Sequence, residues 1–256
     1  MRKGSWCQSG LGLLSIAFMA QPAHAGLDQT WIAAEGVDSG LCIIYLPCQT
    51  LSFALDQTAT GGTINVIDSG IYGSATVSKS ITIRSELGQP AMIANITINA
   101  GATDKVVIEG IDLEGTAQTA GLAYPYGIGV LQAAEVLIHN VRIKDFNTGG
   151  GGAGIYINSA SQVRVTVNES LLFSNGVGVL VTSANGNAHL KMFKSLLLAN
   201  ADAGVRVIGS GNDAMLAGNN LLGSAKSMDL QRGGAARSFG NNALTSGDVP
   251  IGMPMY

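Results

Sequence analysis

The residues most suggestive of chemistry are two basic side chains one position apart in the segment VRIKDF. Arg142 and Lys144 alternate with apolar residues, so on a β-strand both would point to the same side. Thirty positions upstream lies an acidic cluster formed by Glu109, Asp112 and Glu114. Carboxylates that hold calcium, together with a basic residue that takes a proton, are what metal-assisted proton abstraction requires. The spacing therefore raises the question of a catalytic site.

A structural role explains the same residues without catalysis. If equivalent positions recur with this spacing, Arg142 lies beside Asp112 and Lys144 beside Glu114 on adjacent strands. Opposite charges at such positions attract weakly. The same register predicts three columns: Lys79 with Glu109 and His139, Arg84 with Glu114, and Thr82 with Asp112. Because each acid then has a basic neighbour, we predict a charge ladder here, with no metal site and no catalytic residue.

The elements that must position these residues form an internal repeat. A glycine followed by alternating aliphatic residues occurs at Gly127, Gly154, Gly178 and Gly204, with spacings of 27, 24 and 26. Further short segments with the period-2 alternation of β-strands lie between these motifs, and no amphipathic helix of ten or more residues separates them. Short strands that recur at this period without helices are typical of an all-β solenoid.

Polar residues also recur in the repeat. Ser170, Ser195, Asn220 and Asn242 each lie shortly before the aliphatic residue that closes a repeat. Polar side chains that recur at one turn of a solenoid usually stack and form hydrogen bonds along its axis. We therefore predict that these four form a structural ladder and do not bind a ligand.

The N-terminus has the features of an export signal. Arg2 and Lys3 precede an apolar stretch at 11–20, and a small-residue cleavage motif ends at Ala25. Removal of residues 1–25 lowers the basic count from 14 to 12 against 17 acids, a net charge of −5. This charge and the pI of about 5.5 argue against a nucleic-acid partner. No later segment is long and apolar enough for a membrane helix, so we predict a secreted or periplasmic protein.

Two cysteines remain after the signal. Cys42 and Cys48 bound the segment CIIYLPC, and no second pair of cysteine or histidine residues accompanies them. In an oxidising compartment such a pair is typical of a disulfide, whereas a metal site would need further ligands. We therefore predict a disulfide between Cys42 and Cys48 and no cofactor.

Part of the sequence resembles a known superfamily. The segment PCQTLSFALDQTATGGTINVIDSGIYG contains C-x-T-L-x-x-A-[IL], then G-G-T-I, then G-x-Y, and it is followed by the repeats GIYI and VRVTVNESLL. These motifs resemble those of the right-handed parallel β-helix, or pectin lyase-like, superfamily, in particular its uncharacterised exported bacterial members. The resemblance implies a right-handed parallel β-helix with a short N-terminal capping helix. Thr50 would cap this helix at its N-terminus, and Gly61 and Gly62 would end it.

The resemblance also implies a domain order. Residues 1–25 are the signal peptide, 26–60 an N-terminal cap with the disulfide and the helix, 61–247 the coils, and 248–256 a C-terminal tail. It does not fix an activity, because the superfamily contains lyases, hydrolases, epimerases and adhesins.

The R-I-K triplet resembles the active-site signature of polygalacturonases, but the rest of their pattern is missing. In that family, catalytic acids occur around the glycines that open G-I-x-I strands. Here the residues directly before those glycines carry no acid: Tyr126, Ala153, Val177 and Ala203. Glycosidase chemistry needs two carboxylates, and Asp202 is the only one near. His189 is isolated in the sequence, so we expect it to be a surface residue.

A binding face is predicted from the outward positions of the glycine-containing strands. Alternation places Gly129, Tyr156, Leu180 and Arg206 in one outward column. The insertion TAQTAGLAYPY before the first of these strands adds Tyr124 and Tyr126. Tyrosines stack on sugar rings and arginine binds carboxylates, so Tyr124, Tyr126, Tyr156 and Arg206 are the predicted substrate-binding residues for an acidic polysaccharide. In the alternative, the tyrosines brace their loop and Arg206 pairs with Asp202.

Three functions remain open from the sequence. The first is an exported, non-catalytic β-helix protein that binds polysaccharide at the cell envelope. The second is a polysaccharide lyase, hydrolase or epimerase with acids at positions that cannot be aligned. The third is an adhesive or structural solenoid. The missing pair of acids favours the first and third of these.

Overall fold

The alternation of aliphatic and polar residues produces a chain built almost entirely of short strands. A computed structural model of the chain describes residues 26–85, 91–115, 125–147, 152–185 and 188–252. The predicted signal peptide lies outside these residues. In chain order the elements are β1 (Leu27–Ile32), α1 (Leu51–Gln57), β2 (Thr58–Val66), β3 (Gly70–Ile71), β4 (Ser74–Val77), β5 (Ile81–Ser85), β6 (Ala91–Ile93), β7 (Asn95–Asn99), β8 (Lys105–Glu109), β9 (Ile111–Glu114), β10 (Tyr126–Gln132), β11 (Glu135–His139), β12 (Arg142–Lys144), β13 (Ala153–Ile157), β14 (Val163–Asn168), β15 (Leu171–Phe173), β16 (Val177–Val181), β17 (Ala188–Phe193), β18 (Leu196–Leu198), β19 (Ala203–Ile208), β20 (Asp213–Ala217), β21 (Asn220–Leu222), β22 (Lys226–Gln231), β23 (Ala235–Ser238), β24 (Ala243–Leu244) and β25 (Ile251–Gly252).

The strands form three parallel sheets that together make a helix of coils. The ten-stranded sheet has the order β1-β2-β5-β8-β11-β14-β17-β20-β23-β25. The seven-stranded sheet has the order β22-β19-β16-β13-β10-β7-β4, and the eight-stranded sheet has the order β24-β21-β18-β15-β12-β9-β6-β3. Successive strands of the chain pass from sheet to sheet, so a strand pairs with the strand one coil away. This is a right-handed parallel β-helix, as the sequence predicted.

The interior of the coils is filled by stacked aliphatic side chains. One column follows the ten-stranded sheet through seven fully buried residues: Ile64, Ile83, Ile108, Ile138, Val167, Met192 and Leu216. Each such side chain contributes about 1.5–3 kcal/mol through burial. Because the column stays in register only if equivalent residues stack, the apolar pattern fixes which strands pair.

The corner between the ten- and eight-stranded sheets is made by one residue per coil in the left-handed backbone region. In the described coils these residues are Gly110 (φ +66°), Asn140 (φ +50°), Glu169 (φ +50°), Lys194 (φ +48°), Gly218 (φ +67°) and Gly240 (φ +81°). Glycine and asparagine adopt this conformation most readily, and they occupy four of these six corners. A single-residue corner keeps the strands on either side short and the coil narrow.

The register confirms three of the predicted pairs and corrects those that involve the first coils. Arg142 pairs in register with Asp112, and Lys144 with Glu114. His139 lies beside Glu109, as predicted. Upstream, however, the coil from β5 to β8 is shorter than the predicted period, because Ile83 lies opposite Ile108 and Thr82 opposite Val107, so Arg84 faces Glu109.

The other upstream prediction, which stacked Lys79 on Glu109, is also wrong. Lys79 precedes β5 and its Nζ donates to the carbonyl oxygens of Leu55, at 2.7 Å, and Thr58. The 30-residue period, which holds between residues 109–114 and 139–144, therefore does not extend to the coil before them.

The polar ladder exists, with one member displaced from its predicted position. The backbone N–H of Ser170 donates to Ser195 Oγ, that of Ser195 to Asn219 Oδ1, and that of Asn219 to Asn242 Oδ1. The third member is the fully buried Asn219, whereas Asn220, predicted from the sequence, begins β21 and is exposed. A second ladder, not predicted, joins buried Asn175 to buried Asn200.

The N-terminal cap has the predicted helix and disulfide. The backbone N–H of Phe53 donates to Thr50 Oγ1 at 3.2 Å, which caps α1, and the helix buries Leu51, Ala54 and Leu55. Cys42 and Cys48 form a disulfide, with 4.9 Å between their Cα atoms.

The disulfide loop covers the outer edge of β1. The N–H of Trp31 donates to the Cys42 carbonyl at 2.8 Å, and the N–H of Cys48 donates to the Trp31 carbonyl at 3.0 Å. These bonds satisfy backbone groups that an edge strand would otherwise expose.

The prediction that Gly61 and Gly62 end the helix is wrong. α1 ends at Gln57, where Thr58 is already extended and begins β2. Gly61, with φ +82°, and Gly62 lie within β2, at an irregularity in its pairing with β1. They therefore form a bulge inside a strand. β25 lies in the segment predicted as a tail and pairs with β23.

Adjacent asparagines provide a direct test of the polar ladder. Asn219→Ala should lower the free energy of unfolding by about 2–3 kcal/mol, because it leaves the buried N–H of Ser195 without an acceptor. Asn220→Ala should change it by less than about 0.5 kcal/mol. Urea unfolding of the two variants measures both values. An equal loss in the two, or a larger loss in Asn220→Ala, would refute the observed register.

Candidate functional site

Arg142 and Lys144, the two basic residues of the R-I-K triplet, lie on the outer face of the eight-stranded sheet, and each forms an ion pair with an acid one coil earlier. Arg142 Nε lies 2.9 Å from Asp112 Oδ1, and Lys144 Nζ lies 3.0 Å from Glu114 Oε1. The hydrogen bond from Lys144 to Glu114 raises the pKa of the lysine, although partial burial opposes the shift. A raised pKa keeps the ammonium protonated, which is the reverse of what a general base requires.

A groove of about 310 Å³ runs over these ion pairs, with Met92 of β6 on one side of them and Leu171 and Phe173 of β15 on the other. Its charged groups are paired with one another, Arg142 with Asp112 and Lys144 with Glu114. Within the described ranges, no group of three or more histidine, cysteine, aspartate or glutamate residues lies close enough to hold a metal ion.

The predicted binding column lies on the seven-stranded sheet in the expected register. Gly129 pairs with Tyr156, Tyr156 with Leu180, and Leu180 with Arg206. The four positions therefore follow one line across adjacent strands. Tyr124, the remaining predicted member of the site, lies outside the described residues.

Tyr126 and Tyr156 come together as a stacked pair. Their ring centroids are 5.5 Å apart and their planes differ by 17°. The ring of Tyr126 lies over Gly129, where a Cβ atom would come within 2.3 Å of its Cε2. Glycine at this position is therefore what allows the tyrosine to lie across the strand and reach its partner.

The stacked tyrosines border a small recess. Pro125, Ala153 and Leu180 complete its lining, and its volume is about 200 Å³. The Tyr156 hydroxyl accepts a hydrogen bond from Asn158 Nδ2 at 2.8 Å, and both tyrosine rings are half-buried. The recess thus combines aromatic ring surface with small and aliphatic side chains, and one of its two tyrosine hydroxyl groups is hydrogen-bonded to Asn158.

Arg206, at the far end of the column, is held by two carboxylates. Its Nε lies 2.6 Å from Asp229 Oδ2, and its NH1 lies 3.7 Å from Asp202 Oδ2. Asp229, whose side chain is only 3% exposed, also accepts from Lys226 Nζ at 2.7 Å and Gln231 Nε2 at 2.7 Å. The ion pair between Arg206 and Asp202, which the sequence analysis gave as an alternative, is present, but the contact of Arg206 with Asp229 is shorter.

This network shifts the ionisation of Asp229. Burial alone would raise the pKa of the Asp229 carboxyl, but hydrogen bonds from Lys226, Arg206 and Gln231 outweigh burial and hold the pKa below its ordinary value. The carboxylate therefore stays charged at neutral pH, and its hydrogen-bond acceptors are already occupied by this chain's own donors.

Sequence reasoning missed one pair of functional groups. His189, which was expected to be a surface residue, is partly exposed, and its Nδ1 lies 2.6 Å from Asp213 Oδ1 on the adjacent strand, a contact that was not predicted. The two residues are 24 positions apart, the same spacing as Gly154 and Gly178. The glycines of the same two coils, Gly178 and Gly204, are 26 positions apart, so their spacing would have placed Asp213 two residues out of register with His189.

Comparison with known proteins adds little to what the strand pairing shows about the fold. No protein-family model matches the chain, and no curated protein matches it. A solved structure described as "Crystal structure of pectate lyase Pel9A" is similar over 88% of this chain and 80% of that chain, with 13% identity and a TM-score of 0.38. The class of the protein, a right-handed parallel β-helix, therefore rests on its three parallel sheets and their register.

The Asp229 network predicts a pH-dependent difference in stability. Asp229→Asn should lower the free energy of unfolding by about 2–4 kcal/mol at neutral pH, because it leaves Arg206 and Lys226 without their carboxylate. A depressed folded pKa stabilises the protein above the unfolded pKa of about 3.9, and the contribution disappears as pH falls through the folded pKa. The difference between wild type and variant should therefore shrink below about pH 4.

Asp202→Asn is the matched control for this prediction. Asp202 is half-exposed and lies farther from Arg206, so its loss should cost less than about 0.5 kcal/mol. Thermal or urea unfolding at several pH values measures all three proteins. A pH-independent deficit in Asp229→Asn, or equal deficits in the two variants, would contradict the assignment.

Proposed function

We propose that this protein is an exported, non-catalytic member of the pectin lyase-like superfamily that binds saccharide at the cell envelope. The observation that carries the proposal is the recess beside the stacked rings of Tyr126 and Tyr156 on the seven-stranded sheet. Aromatic rings offer large apolar surface with little loss of conformational freedom, and their hydroxyl groups supply hydrogen bonds. Carbohydrate rings, which have apolar faces and polar edges, fit this combination.

The dimensions of the recess favour a single sugar ring within a longer chain. Its volume of about 200 Å³ is smaller than the roughly 300–1,000 Å³ of sites that enclose drug-sized ligands. Ala153 contributes little bulk to the lining, and Leu180 lies next to Tyr156 in the adjoining strand. A saccharide chain would thus contact the protein mainly through one residue placed against the tyrosines.

The charges along the column decide how an acidic saccharide would bind. Arg206 lies two strands from Tyr156, with Leu180 between them, and its guanidinium already contacts Asp229 and Asp202. A ligand carboxylate would have to compete with these partners. The acidic polysaccharide predicted from the sequence therefore stays among the proposed ligands. We expect stacking of a sugar ring on the tyrosines to supply most of the affinity.

The disulfide supports export, and the ion pairs of the eight-stranded sheet support the absence of catalysis. The Cys42–Cys48 disulfide fits an oxidising compartment, which agrees with the signal-like N-terminus. In the part of the chain that the structure describes, no helix has the length and apolar character needed to span a bilayer. The ion pairs of the eight-stranded sheet occupy the acids and bases that a lyase or hydrolase would use.

An adhesive role is the second candidate. The disulfide loop of the cap exposes a group of large apolar side chains: Val37, Leu41, Ile43, Ile44, Tyr45 and Leu46. Contiguous exposed apolar surface often marks a contact with another macromolecule. The disulfide and the bonds to β1 hold this loop in a fixed shape, which would suit a protein contact.

Calorimetric titration tests the saccharide site. Wild-type protein should bind neutral or uronate oligosaccharides, and Tyr156→Ala should bind them about tenfold more weakly because the stacking surface is lost. Tyr45→Ala is the matched control, since it removes a tyrosine from the exposed cap loop and should leave the affinity unchanged. Absence of heat with wild-type protein, or the same affinity in Tyr156→Ala as in wild type, would refute the proposed site.

A further inference from the structure

The disulfide loop of the cap has a surface that its own fold does not explain. Inside the disulfide, the N–H of Leu46 donates to the carbonyl of Ile43 at 2.9 Å and closes a turn. Ile44 and Tyr45 occupy the two central positions of this turn, and Tyr45 is 87% exposed. Central turn positions usually carry glycine, proline, asparagine, aspartate or serine, which favour the turn backbone or bond to it. An isoleucine and a tyrosine do neither, so their side chains point to a contact outside the chain.

The apolar side chains of this loop form a patch large enough for a protein contact. Six large ones are exposed: Val37, Leu41, Ile43, Ile44, Tyr45 and Leu46. Since a fully exposed aromatic side chain presents about 150–250 Å² and an aliphatic one somewhat less, their exposed surface comes to roughly 600 Å². One partner in a stable protein interface contributes about 800 Å². The patch therefore supplies most of the area that such an interface needs.

A groove of about 450 Å³ lies beside Tyr45, which forms part of its wall. Val37, Leu41 and Pro47 contribute to its lining, and Glu35 is the one charged residue among those that line it. The volume lies within the roughly 300–1,000 Å³ of sites that enclose drug-sized ligands, so the groove has room for a tyrosine ring. The loop thus presents a projecting aromatic ring and an apolar groove side by side.

The loop is held in this shape before any partner binds. The disulfide closes the turn, and two backbone hydrogen bonds join the loop to Trp31 of β1. Asp38 Oδ1 accepts from the backbone N–H groups of Gln49 and Thr50, each at 2.8 Å. A surface fixed in this way loses little conformational freedom on binding, so more of its apolar contact contributes to affinity.

The charge of the loop favours a protein partner over a lipid surface. Residues 33–50 contain two acids, Glu35 and Asp38, and no lysine or arginine. Segments that insert into the surface of a membrane combine apolar side chains with basic residues that are attracted to anionic headgroups. This loop lacks the basic residues, and the whole chain has a formal net charge of −3. An anionic bilayer would therefore repel the protein.

We propose that the partner is a second copy of this chain, joined cap to cap about a twofold axis. A twofold axis brings the same patch of both copies together, so each Tyr45 enters the groove beside the Tyr45 of the other copy. The two β-helices then extend from the interface in opposite directions. The proposal gives the adhesive role of this loop a specific partner, and it does not depend on the saccharide site of the seven-stranded sheet.

An arrangement in which the cap of one copy meets the C-terminal coil of the next would bury less apolar surface. Among the described residues of the C-terminal end, two large apolar side chains, Val249 and Ile251, are exposed. Such a contact joins two different surfaces, so it does not close on itself and copies are added without limit. The size of the assembly therefore distinguishes the two arrangements.

Sedimentation equilibrium of the mature protein, without saccharide, tests the proposal. A series from about 1 to about 100 µM should show a reversible equilibrium between monomer and dimer, with a dissociation constant on the order of 10 µM and no larger species. Tyr45→Asp should raise this constant at least about tenfold, because it places a charge from each copy in an apolar interface. Ile44→Asp, at the neighbouring turn position, should have the same effect.

Val249→Asp is the matched control. It puts the same charge in place of an apolar side chain that is 86% exposed at the other end of the β-helix, so the dimer should keep the dissociation constant of wild type. Ile44 and Tyr45 are exposed as well, so we expect all three variants to fold. Circular dichroism of each variant checks that the β-helix is intact.

Four results would overturn the proposal. The first is a wild-type protein that stays monomeric up to about 200 µM. The second is a dimer that persists unchanged in Tyr45→Asp and Ile44→Asp. The third is growth beyond the dimer that Val249→Asp abolishes, which would indicate the head-to-tail arrangement. The fourth is binding of monomeric wild-type protein to vesicles of phosphatidylglycerol and phosphatidylcholine with loss in Tyr45→Asp, which would identify a lipid surface as the partner. Because the samples contain no saccharide, none of these results bears on the tyrosine recess.

Discussion

The whole structure depends on the in-register stacking of one coil on the next. A strand of this protein has no hairpin partner, so its backbone groups are satisfied by the strands one coil before and one coil after it. The register holds because inward aliphatic side chains, such as those of Ile108 and Ile138, stack in dry columns. A slip of one residue would turn every inward side chain outward, which makes the register costly to change.

This constraint determines what happens to the charged side chains. An outward residue has its closest neighbours on adjacent coils, so an acid such as Asp112 meets the base one coil later, Arg142. The same geometry joins Glu114 to Lys144 and Arg206 to Asp229. The ion pairs therefore match acids and bases between successive coils. On the seven-stranded sheet, the same in-register stacking places the ring of Tyr156 against that of Tyr126.

The sequence predicts the fold well because the residues that recur in each repeat are the ones whose stacking stabilises the coils. Alternation and recurring glycines are sufficient to infer stacked short strands, the outward column through Tyr156, and the pairing of Arg142 with Asp112. The capping helix was predictable from the resemblance, with Thr50 at its N-cap, and the disulfide from the two cysteines left after the expected export signal. These features need only neighbours in sequence or one regular step between coils.

The errors arise where the length of a coil changes. The step from Ile83 to Ile108 is shorter than the next step, from Ile108 to Ile138, so an average period misplaces Arg84. The ladder prediction was also wrong by one residue, since it named Asn220 where the structure has Asn219. The two neighbouring positions carry the same residue type, so only burial distinguishes them. The His189–Asp213 contact was missed because the number of residues per coil varies along the chain.

The central functional claim is that this β-helix binds saccharide without cleaving it. Prolonged incubation of mature protein with pectate, alginate and neutral glucans, with and without added calcium, tests it directly. Absorbance of unsaturated uronate products and assay of new reducing ends should both stay at the level of a protein-free control, while oligosaccharide recovered from the bound fraction keeps its length. Accumulation of either product in proportion to protein concentration, and its loss in Lys144→Gln, would contradict the account and identify the ion-pair groove as an active site.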